Sequence, residues 1–186
     1  TGSSSYSDPA RPLLSTTRPD IYIIILESFS NSLFPSLGGD PVATGLDSIA
    51  SSGLMFSNFY SSTFRTDRAI PAILNAFPAQ PTTSLSKYPE KTRHIASLAR
   101  SLGEIHYSTT YYYGGDATFA NKQTYLLNSG FTDIVTLKDM DPAIERSKWG
   151  VPDGALFDRV IADLTEDTVP RLTIVQTLSS HEPFEV

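Results

Sequence analysis

The 186-residue sequence contains no cysteine, which excludes a disulfide framework, a thiolate zinc site and a cysteine nucleophile together. It has no apolar run approaching the ~20 residues that a membrane-spanning helix needs. Its 14 Lys+Arg nowhere gather into a basic block. Set against 20 Asp+Glu they leave a formal net charge of -6, which argues against nucleic acid as the main partner. That balance does not oppose a cation, or a substrate with a small anionic head. The rest is ordinary globular material, with 40% hydrophobic content in a length that suits one domain with a substantial core.

Residues 1–19 are rich in Ser, Thr, Pro and Arg without periodicity and read as a linker or extended arm ahead of a domain over 20–186. Residues 21–28, IYIIILES, are the most informative stretch. A nearly continuous β-branched run predicts a strand buried on both faces of a parallel sheet. Further strands are expected at 54–60 (LMFSNFY), 105–113 (IHYSTTYYY), 131–137 and 172–178 (LTIVQTL). Between them, helical spacing marks a short segment at Leu46, Ile49 and Ala50 and a helix at Ile70, Ile73, Leu74 and Phe77, with Pro71 tolerable only in a first turn. It marks another at Ile95, Leu98, Ala99 and Leu102 ending at Gly103, a short helix at 121–128, and one at Leu156, Phe157, Val160, Ile161 and Leu164. This alternation predicts an α/β fold with a mainly parallel sheet.

In such sheets ligands and metals sit in the crevice beyond the carboxyl ends of the strands. Glu27 stands where the first strand gives way to polar residues, and burying a bare carboxylate there is expensive without a positive partner. It is a candidate metal ligand, or else a carboxylate paired with Arg65 or Arg68. Thr66 opens a helix and is either its cap or a nucleophile whose hydroxyl a metal would activate, with helix N–H groups, Arg65 and Arg68 nearby for an anion. Asp116 lies in a Gly-Gly-Asp turn, where Asp often serves backbone geometry. His181 follows the last strand and is a substrate-side or acid/base histidine, or a loop histidine. His94 and His106 fall within helix and strand patterns and read as structural.

Four stretches, LESFSNSL, STFRTDRAIPAILNAFP, YYYGGDATFANKQTYLLNSGF and TLSSHEPF, resemble in order and spacing the lipoteichoic acid synthase branch of the sulfatase/alkaline phosphatase superfamily. The resemblance covers about residue 19 to the end. It implies an alkaline phosphatase-like α/β/α sandwich, incomplete at the C-terminus, carried on the extracytoplasmic face of the membrane by transmembrane helices outside this sequence. It further implies Glu27 and Thr66 as ligands of one divalent cation, Mn²⁺ or Mg²⁺, with Thr66 also the nucleophile. Asp116 and His181 would then be substrate-binding; Lys122, at the place of a family arginine, and Arg68, flanking Thr66, are further candidate substrate-binding residues. The implied reaction is transfer of a phosphoglycerol or phosphoethanolamine group from a phospholipid or polyol-phosphate type substrate through a phospho-threonine. A phosphodiesterase or other hydrolase of the same fold, or a non-catalytic glycan- or lipid-binding remnant, are the alternatives.

Departures from the family pattern matter. Ala120 and Lys122 stand where the family has Trp and Arg, and Lys cannot offer the bidentate fork of Arg. The nucleophile segment carries neither Cys nor the C/S-x-P-x-R motif of sulfatases, so sulfate-ester hydrolysis is not implied. An Asp-His pair of metal ligands comes from a later strand in the family. These residues thus read as the nucleophile half of a catalytic domain, inactive alone and completed by the C-terminal half.

Overall fold

The computed structural model describes residues 14–164 and 169–184, so most of the arm expected over 1–19 lies outside the described residues. The strands are β1 (Ile21–Ile25), β2 (Ser108–Tyr113), β3 (Asp133–Val135) and β4 (Arg171–Gln176). Parallel strands require long crossovers, and helices supply them. Between β1 and β2 run α1 (Thr44–Ala50), α2 (Thr66–Asn75), α3 (Pro89–Thr92) and α4 (Leu98–Glu104). Helix α5 (Lys122–Asn128) joins β2 to β3, and α6 (Asp153–Asp163) joins β3 to β4. All strand pairs are parallel, in the order β1-β4-β2-β3.

Alternation along the strands divides the core between the two faces. On one face Ile23, Ile25, Tyr111 and Ile174 pack with Leu74 of α2, Ala99 of α4 and Leu126 of α5. On the other, Tyr112 and Val175 pack with Leu156 and Val160 of α6. The expected α/β class with a parallel sheet and helices on both faces is what is observed.

Several expectations change. β1 is not buried on both faces: Tyr22 is 46% and Ile24 51% exposed, because it is an edge strand and α6 packs over β2 and β4 instead. Residues 54–60 form no strand, and Leu54, Phe56, Phe59 and Tyr60 are all exposed. Aromatic and apolar content expresses strand propensity, but a strand exists only by pairing, and this segment pairs with none of the four. The helix expected from Ile95 begins at Leu98, since Ser97 is extended and its hydroxyl is spent on the Ser129 carbonyl. β2 starts only at Ser108, because His106 takes a left-handed φ of 65° in the turn before it. Pro71 sits in the second turn of α2, not the first.

Candidate active site

The carboxyl ends of β1, β2 and β4 converge, and α2 begins beside them. A cleft of about 270 Å³ there is lined by Glu27, Thr66, Asp116, Lys122 and His181, together with Tyr113, Trp149 and Gln176. Each arrives by a local cause. The Glu27 N–H donates to Thr177 Oγ1 at 2.9 Å, and the Thr177 N–H donates to the Ile25 carbonyl at 3.0 Å. The pairing of β1 with β4 is thereby carried past the strand ends. Ser28 then turns the chain with a left-handed φ of 51°, leaving Glu27 only 8% exposed.

Thr66 is the first residue of α2, after Arg65 in an extended conformation. Its hydroxyl lies 2.9 Å from Glu27 Oε1 and 3.0 Å from Oε2, across 39 residues of chain. Ser28 Oγ is 3.3 Å from the same Oε1. No ion pair among the described residues involves Glu27. A buried carboxylate with hydroxyl partners and no cation in salt-bridge contact, next to a second hard oxygen, fits half the shell of an oxygen-preferring divalent cation. No group of three or more His, Cys, Asp or Glu suited to a metal occurs among the described residues.

Lys122 opens α5 and lines the same cleft. Its Nζ donates to Gln176 Oε1 at 2.9 Å and lies 3.4 Å from the centroid of the Tyr113 ring. Desolvation pulls its pKa down to about 7, against the pull of Glu27 and Asp67 in the other direction. Tyr113 is pushed up to about 12, first by burial and then by the negative charges of Glu27 and Asp116.

Asp116 is exposed at the rim. Its Oδ1 accepts from the Thr118 N–H at 2.8 Å and hydroxyl at 2.7 Å, an Asx turn that also lowers its pKa. His181 Nδ1 is 2.8 Å from the Glu182 carbonyl. A carbonyl only accepts, so Nδ1 is the donor in this contact and Nε2 is left for other partners. The imidazole lies 4.1 Å from the Trp149 ring, whose Nε1 donates to that same carbonyl at 3.1 Å. Trp149 reaches the cleft because Gly115 and Gly150 bridge. A Cβ on Gly115 would lie 2.8 Å from the Trp149 carbonyl.

The structure does not bring Arg68 to the cleft. Its Nη1 donates to the Pro81 carbonyl, and the pairing of Arg65 is with Asp67 at 3.8 Å. Sequence reasoning passed over Gln176, Tyr113 and Trp149. Gln176 carries the signal that singled out Glu27, a polar residue closing an apolar strand. Trp149 lies in a loop without periodicity and gives none.

A parallel sheet with a crevice at the carboxyl ends of its strands defines an α/β class of fold. The chain matches the sulfatase family model over residues 19–186 and belongs to that family. It is similar to a protein of the alkaline phosphatase superfamily from Vibrio parahaemolyticus, at 30% identity and a TM-score of 0.84, over 91% of this chain and 42% of that one. It is also similar to the lipoteichoic acid synthase LtaP from Listeria monocytogenes, at 22% and 0.77, over 90% and 42%. A third similar structure is the Streptococcus pyogenes phosphoglycerol transferase GacH in complex with sn-glycerol-1-phosphate, at 18% and 0.64, over 91% and 46%. The chain thus spans less than half the length of each.

Proposed function

We propose that this chain carries the nucleophile half of a metal-dependent phosphotransferase that moves phosphoglycerol- or phosphoethanolamine-type groups between envelope or lipid-linked substrates. The observation that carries the reading is the contact of Thr66 Oγ1 with both oxygens of the buried Glu27, at 2.9 and 3.0 Å. Similarity to a lipoteichoic acid synthase and to a phosphoglycerol transferase supports the substrate class.

In this reading the Thr66 oxygen attacks the phosphorus of a phosphodiester. A Thr66 O–P bond forms, the bond from phosphorus to the lipid-side oxygen breaks, and the hydroxyl proton leaves Thr66 as the leaving oxygen gains one. Attack by an acceptor hydroxyl then frees the threonine. Glu27 and Thr66 would hold one Mn²⁺ or Mg²⁺, completed by ligands from the C-terminal half of the domain. When bound, that cation supplies charge neutralisation and a lower hydroxyl pKa. Lys122 offsets the charge of the phosphoryl oxygens, the first amides of α2 offer N–H groups, and His181 Nε2 serves the substrate side with Asp116 at the rim. The residues would work on the extracytoplasmic face of a membrane. Among the described residues no helix is long and apolar enough to cross one.

The test is turnover of a glycerophospholipid by the full-length protein with Mn²⁺, with and without a polyol acceptor. Transfer to the acceptor, lost in Thr66→Ala, supports the proposal. Release of the head group to water alone, at a rate the acceptor does not change, would replace it with a hydrolase. Undiminished turnover by Thr66→Ala would refute the nucleophile.

A further inference from the structure

The Lys122–Gln176 pair does more than place one cation in the cleft. Gln176 closes β4, in register with Ile25 of β1 and Tyr113 of β2, between the strand that delivers Glu27 and the strand that delivers Asp116. It is 1% exposed and still lines the cleft. Its Oε1 accepts twice, from Lys122 Nζ at 2.9 Å and from the Tyr111 hydroxyl at 2.7 Å. With Lys122 Nζ and the Tyr111 hydroxyl both donating to it, the amide oxygen faces these two groups, and the orientation of the carboxamide follows. Its NH₂ group is thereby left as a donor on the remaining side.

The mount is stiff. Tyr111 is fully buried in the core beside Phe131, with ring centroids 5.3 Å apart. Tyr113 lies under the ammonium on the adjacent strand position, 3.4 Å from Nζ to ring centroid. A lysine on a flexible stem is normally a poor substitute for the planar fork of an arginine. Here the stem ends against a ring and an amide oxygen, both set by the sheet.

We infer that Gln176 is a positioning and specificity residue of this cleft: its oxygen aims the Lys122 ammonium, and its NH₂ is a second donor to the same anionic group of the substrate. Lys122 and Gln176 together supply the two donors that one arginine fork would supply. The ligand recognised is a phosphoryl group with two free oxygens side by side, as in a phosphomonoester or phosphodiester head group. This rests on the reading of Lys122 as a substrate-binding residue, and the experiment separates the two.

The experiment is titration of the full-length protein, with Mn²⁺ present, with glycerol phosphate and separately with inorganic phosphate. Gln176→Met removes both the acceptor and the donor and is expected to weaken binding roughly 10- to 100-fold, the range of a lost hydrogen bond to a charged group. Adding Lys122→Arg to that variant supplies the fork from one side chain and is expected to bring affinity back to within about threefold of the starting protein. A purely structural role for Gln176 would not be rescued in this way. Wild-type affinity in Gln176→Met, or no recovery in the double variant, overturns the inference. If Gln176→Met does not fold, Gln176→Glu keeps the acceptor for Lys122 and Tyr111 while removing the donor, and binding within threefold of wild type there overturns it equally. Undiminished binding in Lys122→Ala would instead remove the reading beneath.

Discussion

The Ser84 hydroxyl donates to the carbonyl of Asp67, the group left without its helical N–H by Pro71 four residues further on. A proline inside a helix removes one i to i−4 bond and leaves that carbonyl in need of another donor. Ser84 is 1% exposed, and its oxygen is also 2.9 Å from the Ser86 hydroxyl. The interior proline of α2 is therefore compensated from the loop that follows the helix, one turn below Thr66. Ser84→Ala is expected to destabilise the fold by about 1–2 kcal/mol. In a Pro71→Ala background, where the N–H is restored, the loss is expected to shrink to less than half. Denaturant melts of the four proteins measure the coupling, and equal losses in both backgrounds would contradict it.

Stability should rise with pH above neutrality and fall again in strong alkali. Folding drops the Lys122 pKa from 10.5 to about 7, so between those values the unfolded chain binds the proton that the folded one has released, and stability rises. Tyr112 and Tyr113 are pushed from 10.0 to about 12. Above pH 10 the folded state holds protons that the unfolded state loses, and stability falls. Lys122→Met is expected to flatten the rise and leave the alkaline fall. Thermal melts across pH 7–11, without added metal or anion, test both arms. A rise that persists in Lys122→Met would show that another group carries it.

Glu27→Gln keeps the volume and a hydrogen-bond partner for Thr66 while removing the charge. The full-length protein with this change is expected to bind Mn²⁺ at least about 100-fold more weakly, because a hard cation selects anionic oxygen. Isothermal titration reads this directly. A lower melting temperature together with unchanged metal affinity would make Glu27 a structural residue.

Trp149 is the sole tryptophan of the chain and lies 4.1 Å from the His181 ring, so its fluorescence reports on that imidazole. Emission is expected to change in His181→Asn, which removes the ring packed against the indole. Glycerol phosphate should perturb the same signal. Emission in His181→Asn identical to that of the starting protein, with and without glycerol phosphate, would show that the indole does not sense that ring.

Much of the scaffold is legible in the sequence where burial and period coincide. The runs at 21–28 and 172–178 contain β1 (Ile21–Ile25) and most of β4 (Arg171–Gln176), and the spacing of Leu156 and Val160 becomes the buried face of α6. Residues 54–60 mislead because propensity is local and strand pairing is not. The Pro71 position misleads because the compensating donor, Ser84, is remote in sequence. At the site, Glu27 and Thr66 are legible as polar residues at the end of a strand and the start of a helix. Their mutual contact is not, because it depends on a crossover that no periodicity reports. Arg68 lies close to Thr66 in sequence, but the first turn of α2 carries it to the Pro81 carbonyl instead.

The most direct measurement is the intact mass of the full-length protein after incubation with Mn²⁺ and a glycerophospholipid, followed by peptide mapping. The account predicts a head-group-phosphate adduct on Thr66, absent from Thr66→Ala and sharply reduced in Glu27→Gln. Metal-dependent turnover in the absence of any adduct on Thr66, or an adduct that survives in Thr66→Ala, would contradict it.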